Sequence, residues 1–157
     1  MYKILSMIWK TFNSNIKWHV LWFFHNKFLI GTSAIILNKK DQILLQKHRF
    51  WKKDSWGLPS GYVKQKEQIE DSIKREIKEE TGLDVIIEEL LNLNSGFKLR
   101  IECTYIGKCY EEVKKEKLNT NEVLDASFFS PVNLPDGILD SHKNLIEMAI
   151  KKIKNDL

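Results

Sequence analysis

Residues Gly61 to Leu83 read GYVKQKEQIEDSIKREIKEETGL. The second half of this stretch has the pattern of one amphipathic helix. Ile69, Ile73 and Ile77 recur every fourth residue and make an apolar stripe. Gly82 follows the last turn, where a left-handed cap favours a residue without a Cβ. The acids fall in an unusual place. At about 100° per residue, Glu80 lies roughly 20° from Ile69, Glu76 about 20° on its other side, and Glu79 a further ~60° round. Lys74, Lys78 and Asp71 sit opposite the stripe, where solubilising charge belongs. Glu76, Glu79 and Glu80 instead border the face that must dock on the rest of the protein. Carboxylates gathered at such an edge repel one another and lose hydration, so they call for compensation. A hard divalent cation with oxygen ligands is one reading; a solvated charge run is the other, and the helical wheel leaves both open.

The spacing goes further than the wheel. Gly61, Glu67, Arg75-Glu76-Ile77, Glu79-Glu80 and Gly82-Leu83 stand at every defining position of the Nudix box, and the chain resembles the Nudix hydrolases. The strand pattern around the box extends the resemblance from Phe28 to the C-terminus. The resemblance implies an α/β fold, an α/β/α sandwich with a mixed sheet. It also implies hydrolysis of a pyrophosphate bond in a nucleoside diphosphate linked to another moiety.

Carried over position by position, Glu76, Glu79 and Glu80 would hold Mg2+, with Mn2+ as a substitute. The Gly61 carbonyl would join them. Glu76 or Glu80 would act as general base, and members of the family differ on which group does this. Arg75 would pair with the acids and orient them, Glu67 would support them from the first turn, and Gly82 would end the helix. Some members add a carboxylate from the loop before the last strand. Glu122, ahead of Phe128-Phe129, is the candidate for that ligand or base, with an ordinary surface acid as the other reading. Ser60 stands where many members carry a second glycine.

The chain has 157 residues, 43 % of them hydrophobic, which is enough for one domain with a real core. A net charge of +4 suits a polyanionic small substrate and is too weak to argue for DNA. Cys103 and Cys109 are the only cysteines and have no zinc-ligand spacing. A reduced, cytoplasmic setting is expected.

Residues 1–27 precede the Nudix-like region, residues 28–157, as a helical extension. Leu5, Ile8, Trp9, Phe12 and Ile16 follow helical spacing, and a dense aromatic run from Trp18 to Phe24 follows. The lysines and asparagines between them break a signal-peptide core, and no uninterrupted apolar run is long enough to span a bilayer. Two readings stand. One is an added helix or pair of helices that packs on the domain or forms a dimer contact. The other is an interfacial helix at a membrane surface.

Phe28–Leu37 and Gln42–His48 read as strands around a polar turn. Lys47, His48, Arg49, Lys52 and Lys53 then form a basic cluster broken by Phe50 and Trp51. It is either a solvated loop or a phosphate-steering rim, with Arg49 the best single substrate-binding candidate because guanidinium pairs with phosphate as a fork. Residues 96–111 alternate as a long strand, with Phe97, Leu99, Ile101, Cys103 and Tyr105 on one face. Residues 123–129 form the last strand. Asp140 or Ser141 caps a final helix with Leu145, Met148, Ala149 and Ile153 inward.

Substrate choice lies outside the box. The proline, tyrosine and upstream signatures that accompany ADP-ribose, diadenosine polyphosphate and coenzyme A hydrolysis in the family are missing from their usual places. Those absences favour a nucleoside triphosphate, a modified one, or a CDP-alcohol-like compound. Removal of pyrophosphate from RNA 5′ ends and nucleotide sensing without turnover are the alternatives.

Overall fold

The sheet is built outward from one β-branched strand, Leu29–Leu37 (β1), in a computed structural model that describes residues 2–95 and 97–155. Residues 31–37 are all buried, because helices cover both faces of the sheet here. Strand β2 (Ile43–His48) touches β1 at Leu37 and Ile43, and β3 (Ser60–Tyr62) pairs antiparallel with residues 31–33. After helix α3 (Ile69–Thr81) come β4 (Ile86–Ser95), β5 (Arg100–Lys108) and β6 (Val123–Phe129). Strand β5 runs parallel to β1 in unbroken register from Leu29 and Arg100 to Leu37 and Lys108. The path is β4-β5-β1-β2-β6, with β3 attached to β1. This is a mixed sheet, as expected.

Alternation along the strands feeds two cores. On one face Ala34, Ile36, Leu44, Cys103 and Tyr105 meet Ile73 and Ile77 of α3. On the other, Ile35, Leu37, Ile43, Leu45 and Ile106 meet Ile146 and Ala149 of the last helix, Asp140–Asn155 (α4). Each fully buried Ile or Leu contributes about 1.5–3 kcal/mol relative to exposure. The result is the α/β/α layering. Both cysteines are free and buried.

Three expectations need correction. Strand β5 begins at Arg100, not at residue 96. Lys98 and Leu99 take positive φ, 48° and 56°, and turn the chain between β4 and β5, which leaves Leu99 exposed rather than on the apolar face. Gly96 and the side chain of Phe97 lie outside the described structure. In α4 the inward residue is Ile146, whereas Met148 is 43 % exposed, because the sheet meets the Ile146–Ala149 edge of the helix. In the extension, Tyr2–Thr11 (α1) and Ser14–Phe24 (α2) are helical. Asn13 Oδ1 caps α2 by accepting from the Ile16 N–H at 2.9 Å. The side chains of Leu5 and Ile8 are outside the described structure. No residue of α2 is buried, so the packing on the domain expected of an added helix is not made by this one.

Helix α3 ends where the glycine stands. Gly82 has φ of 74°, and its N–H donates to the Lys78 carbonyl at 3.0 Å. A Cβ there would lie 2.9 Å from Lys117 Cβ as well as in a left-handed conformation. Gly82→Ala should therefore cost about 1–3 kcal/mol of stability, read as a lower urea midpoint at unchanged slope.

Candidate active site

The apolar stripe of α3 carries Glu80 inward and Glu76 part of the way, whereas Glu79 stays exposed. Glu80 is 2 % exposed, although it carries a charge-bearing group. Gln46, fully buried in β2 after the apolar run Ile43–Leu45, donates from Nε2 to Glu80 Oε2 at 2.8 Å. The other amide atom, Gln46 Oε1, is buried and has no hydrogen-bond partner among the described residues. Burial pushes the Glu80 carboxyl up to about 7; the Gln46 bond opposes this, and the charges of Glu76, Glu122 and Glu79 add to it. His48 Nε2 stands 3.7 Å from Glu80 Oε1, but burial lowers the His48 pKa despite Glu122 and Glu76 nearby. A neutral imidazole does not neutralise Glu80.

Arg75 organises the rest. It holds Glu67 by a two-pronged fork, Nε to Oε1 at 2.7 Å and Nη2 to Oε2 at 3.0 Å. Nη1 lies 2.7 Å from Glu76 Oε1 and donates to Glu79 Oε2 at 3.1 Å, while Nη2 also reaches the Tyr62 carbonyl at 3.2 Å. The Arg75 fork, together with the Lys64 N–H, brings the Glu67 carboxyl down to about 2. Lys64 Nζ adds a looser pairing with Glu79 at 3.7 Å.

Gly61 of β3 faces Glu76 so closely that a Cβ would sit 2.3 Å from the Glu76 Cγ and Cδ atoms and 2.6 Å from Oε1. The absence of a side chain lets backbone and carboxylate meet. Glu122 approaches from the loop before β6, close enough for its charge to raise Glu80. Arg49 grips that same loop: its N–H donates to the Glu122 carbonyl at 2.7 Å, Nε to the Asn121 carbonyl at 2.9 Å and Nη2 to the Thr120 carbonyl at 2.7 Å. Two guanidinium nitrogens expected at a phosphate thus serve the protein's own backbone.

The carboxylates are not gathered on a single point. Arg75 draws Glu76 and Glu79 toward itself, and among the described residues no three His, Cys, Asp or Glu side chains are grouped to hold an ion as they stand. The donor chemistry still fits a hard divalent cation. The groups are carboxylate oxygens beside a glycine backbone, one carboxylate is buried without a cationic partner, and an amide oxygen nearby is unsatisfied.

A cleft of about 780 Å³ opens beside this edge. It lies between the α4 side of the sheet and the start of α4. His48, Trp51, Gly61 and Tyr62 line one side, and Asn92, Asn94, Thr104 and His142 continue the wall. His142 Nδ1 accepts the Leu58 N–H at 2.9 Å and so ties α4 to the approach to the box. Gln46, Tyr62, Asn92, Asn94 and His142 were not picked out from the sequence. Only Gln46 carried a local signal, as an amide directly after the apolar run Ile43–Leu45.

Residues 27–148 match the family model of the NUDIX domain. An 8-oxo-dGDP phosphatase from Homo sapiens is 28 % identical over 120 residues, covering 74 % of this chain and 37 % of that protein. An ADP-ribose pyrophosphatase from Methanocaldococcus jannaschii is 33 % identical over 113 residues, covering 69 % of this chain and 66 % of that one. The crystal structure of an ADP-ribose pyrophosphatase from Streptococcus suis shares the fold with a TM-score of 0.64 at 20 % identity, covering 80 % of this chain and 92 % of that one. The chain belongs to the Nudix hydrolase family. It spans between 21 % and 37 % of the length of the plant and human relatives it matches.

Burial brings the His142 pKa down to about 4. The unfolded chain therefore binds a proton at this residue more readily than the folded one. Stability from this group is full above the unfolded value, near 6.5, and is lost as pH falls from there to about 4. The loss should reach about 3 kcal/mol, and His142→Gln should flatten that part of a pH series of urea midpoints. Gly61→Ala should leave far-UV circular dichroism unchanged but displace Glu76, lowering turnover by roughly tenfold or more.

Proposed function

We propose that this chain hydrolyses a pyrophosphate bond in a nucleoside diphosphate linked to another moiety, with a divalent cation held at the carboxylate edge. The observation that carries the reading is the buried Glu80 carboxylate. It feels the charges of Glu76, Glu122 and Glu79 and has no cationic side chain of its own among the described residues, and its neighbour His48 and the Glu76 neighbour Gly61 line a cleft of nucleotide size.

Glu76, Glu79 and Glu80 are the cation ligands in this reading, with Glu122 and the Gly61 carbonyl as additions. Mg2+ is the first choice and Mn2+ the substitute, since every donor is oxygen. Bound there, such an ion offsets charge on the phosphates and lowers the pKa of an attacking water. The chain's own groups do the rest. Arg75 sets the directions of Glu76 and Glu79 while anchored on Glu67. Gln46 fixes one Glu80 oxygen, and the other lies 3.7 Å from His48 Nε2. Glu76 or Glu80 accepts the proton of the water. Arg49 steadies the Glu122 loop and keeps Nη1 for a phosphate.

The names of two relatives support the substrate class. ADP-ribose and 8-oxo-dGDP are both nucleoside diphosphate compounds. The rings of Trp51 and Tyr62 and the amides of Asn92 and Asn94 suit a base and its polar edge. Nucleotide sensing without turnover is the second reading, and the presence of every box glutamate weighs against it.

The test is a panel of nucleoside triphosphates, ADP-ribose, 8-oxo-dGDP and CDP-alcohols with Mg2+, assayed for released phosphate and nucleotide. Turnover of at least one is expected, and chelation should abolish it. Glu80→Gln should fold normally and lose roughly 10²-fold in turnover, because it removes charge from the ion. Wild-type rates in Glu80→Gln would refute the ligand assignment. Tight binding across the panel without turnover would favour the sensor.

A further inference from the structure

The least explained part of the molecule is the helical extension. Helix α2 carries Trp18, Leu21, Trp22, Phe23 and Phe24, all exposed, and Phe28 beyond its end is exposed as well. Phe23 and Phe24 are 72 % and 80 % exposed. Apolar side chains lie on every side of the helix rather than on one stripe. Such a helix leaves a large apolar surface to be covered. The chain does not supply that cover, since α2 buries none of its residues. At about 1.5 Å per residue the helix is about 16 Å long, half the thickness of a bilayer core. No described helix is long and apolar enough to cross a membrane.

The charge around this patch has one sign. Residues 1–40 hold six lysines and no Asp or Glu, in a chain whose acids number 21. Lys17 lies within α2. Lys27 Nζ sits 4.3 Å from the centre of the Trp22 ring. Trp18 and Trp22 stack with ring centres 6.3 Å apart, and together with Leu21, His25 and Lys27 they line a shallow cleft of about 310 Å³. Apolar wedges with cations at their rim match the depth profile of a bilayer surface, where acyl chains lie under phosphate-bearing headgroups.

We propose that α2 and the Lys17–Lys27 rim dock on the surface of an anionic lipid bilayer, lying in the interface without spanning it. A second copy of this chain fits less well. A two-fold contact through this patch would bring two copies of a segment with six lysines and no acid face to face, with no opposite charge within it to answer Lys17 and Lys27. Anionic headgroups answer both lysines at once. This inference is independent of the catalytic reading.

The 157-residue chain is sedimented with phosphatidylcholine vesicles and with vesicles that also contain phosphatidylserine. Binding to the phosphatidylserine vesicles alone is expected, and high salt should weaken it. Combining Lys17→Gln with Lys27→Gln should reduce partitioning roughly thirtyfold, about fivefold for each lysine. Trp22→Ser with Phe23→Ser should abolish it, with far-UV circular dichroism and thermal midpoint reporting an intact domain in both variants. Failure to bind either vesicle would overturn the proposal, as would equal binding to both. A concentration-dependent dimer in sedimentation velocity without lipid, lost in the Trp22/Phe23 variant, would assign the patch to self-association and overturn it too.

Discussion

A carboxylate with almost no water around it is the constraint to which the rest of this chain answers. Glu80 lies inside because Ile73 and Ile77, on the same side of α3, must reach the sheet. The helix cannot bury one without the other. An ionised group in such a place is costly unless hydrogen-bonded and compensated. Gln46 supplies one hydrogen bond from the strand beneath. No neighbouring side chain supplies the charge. The position is held by the isoleucine packing, and the carboxyl is raised to about 7 by its burial.

Arg75 meets a different need. Glu67, Glu76 and Glu79 crowd around it, and one guanidinium offers donors in enough directions to reach all three. A lysine in the same place would be a point charge and could not set those angles. An exposed ion pair contributes little, but this network is partly sheltered and its members share the cost of ordering one side chain. One arginine and the looser Lys64 do not balance five acids counting Glu80 and Glu122, so the edge stays negative overall.

Much of this was legible in the residues. The four-residue repeat of Ile69, Ile73 and Ile77 marked α3, and the wheel put Glu76 and Glu80 beside it. Gly82 announced the left-handed stop. The β-branched run of β1 announced a strand. Other features depend on tertiary placement and left no local trace. His142 meets Leu58 across 84 positions of sequence. Arg49 looked like a phosphate ligand because nothing in its own neighbourhood reveals the carbonyls of Thr120 and Asn121. The turn at Lys98 and Leu99 escaped because neither residue favours positive φ, so the alternating pattern read straight through it. Met148 fell on a plausible helical stripe, but the sheet meets the helix one residue step away.

The grip of Arg49 on residues 120–122 has an energetic meaning of its own. Fixing the backbone of a single residue costs roughly 1–2 kcal/mol in lost freedom. Here several consecutive residues are already immobilised, from the Arg49 side and by the Asn119 N–H on the Glu80 carbonyl at 2.9 Å. That ordering is completed when the chain folds. The position of Glu122 ahead of β6 is therefore set by the fold itself, with no further loss of backbone freedom needed to hold it.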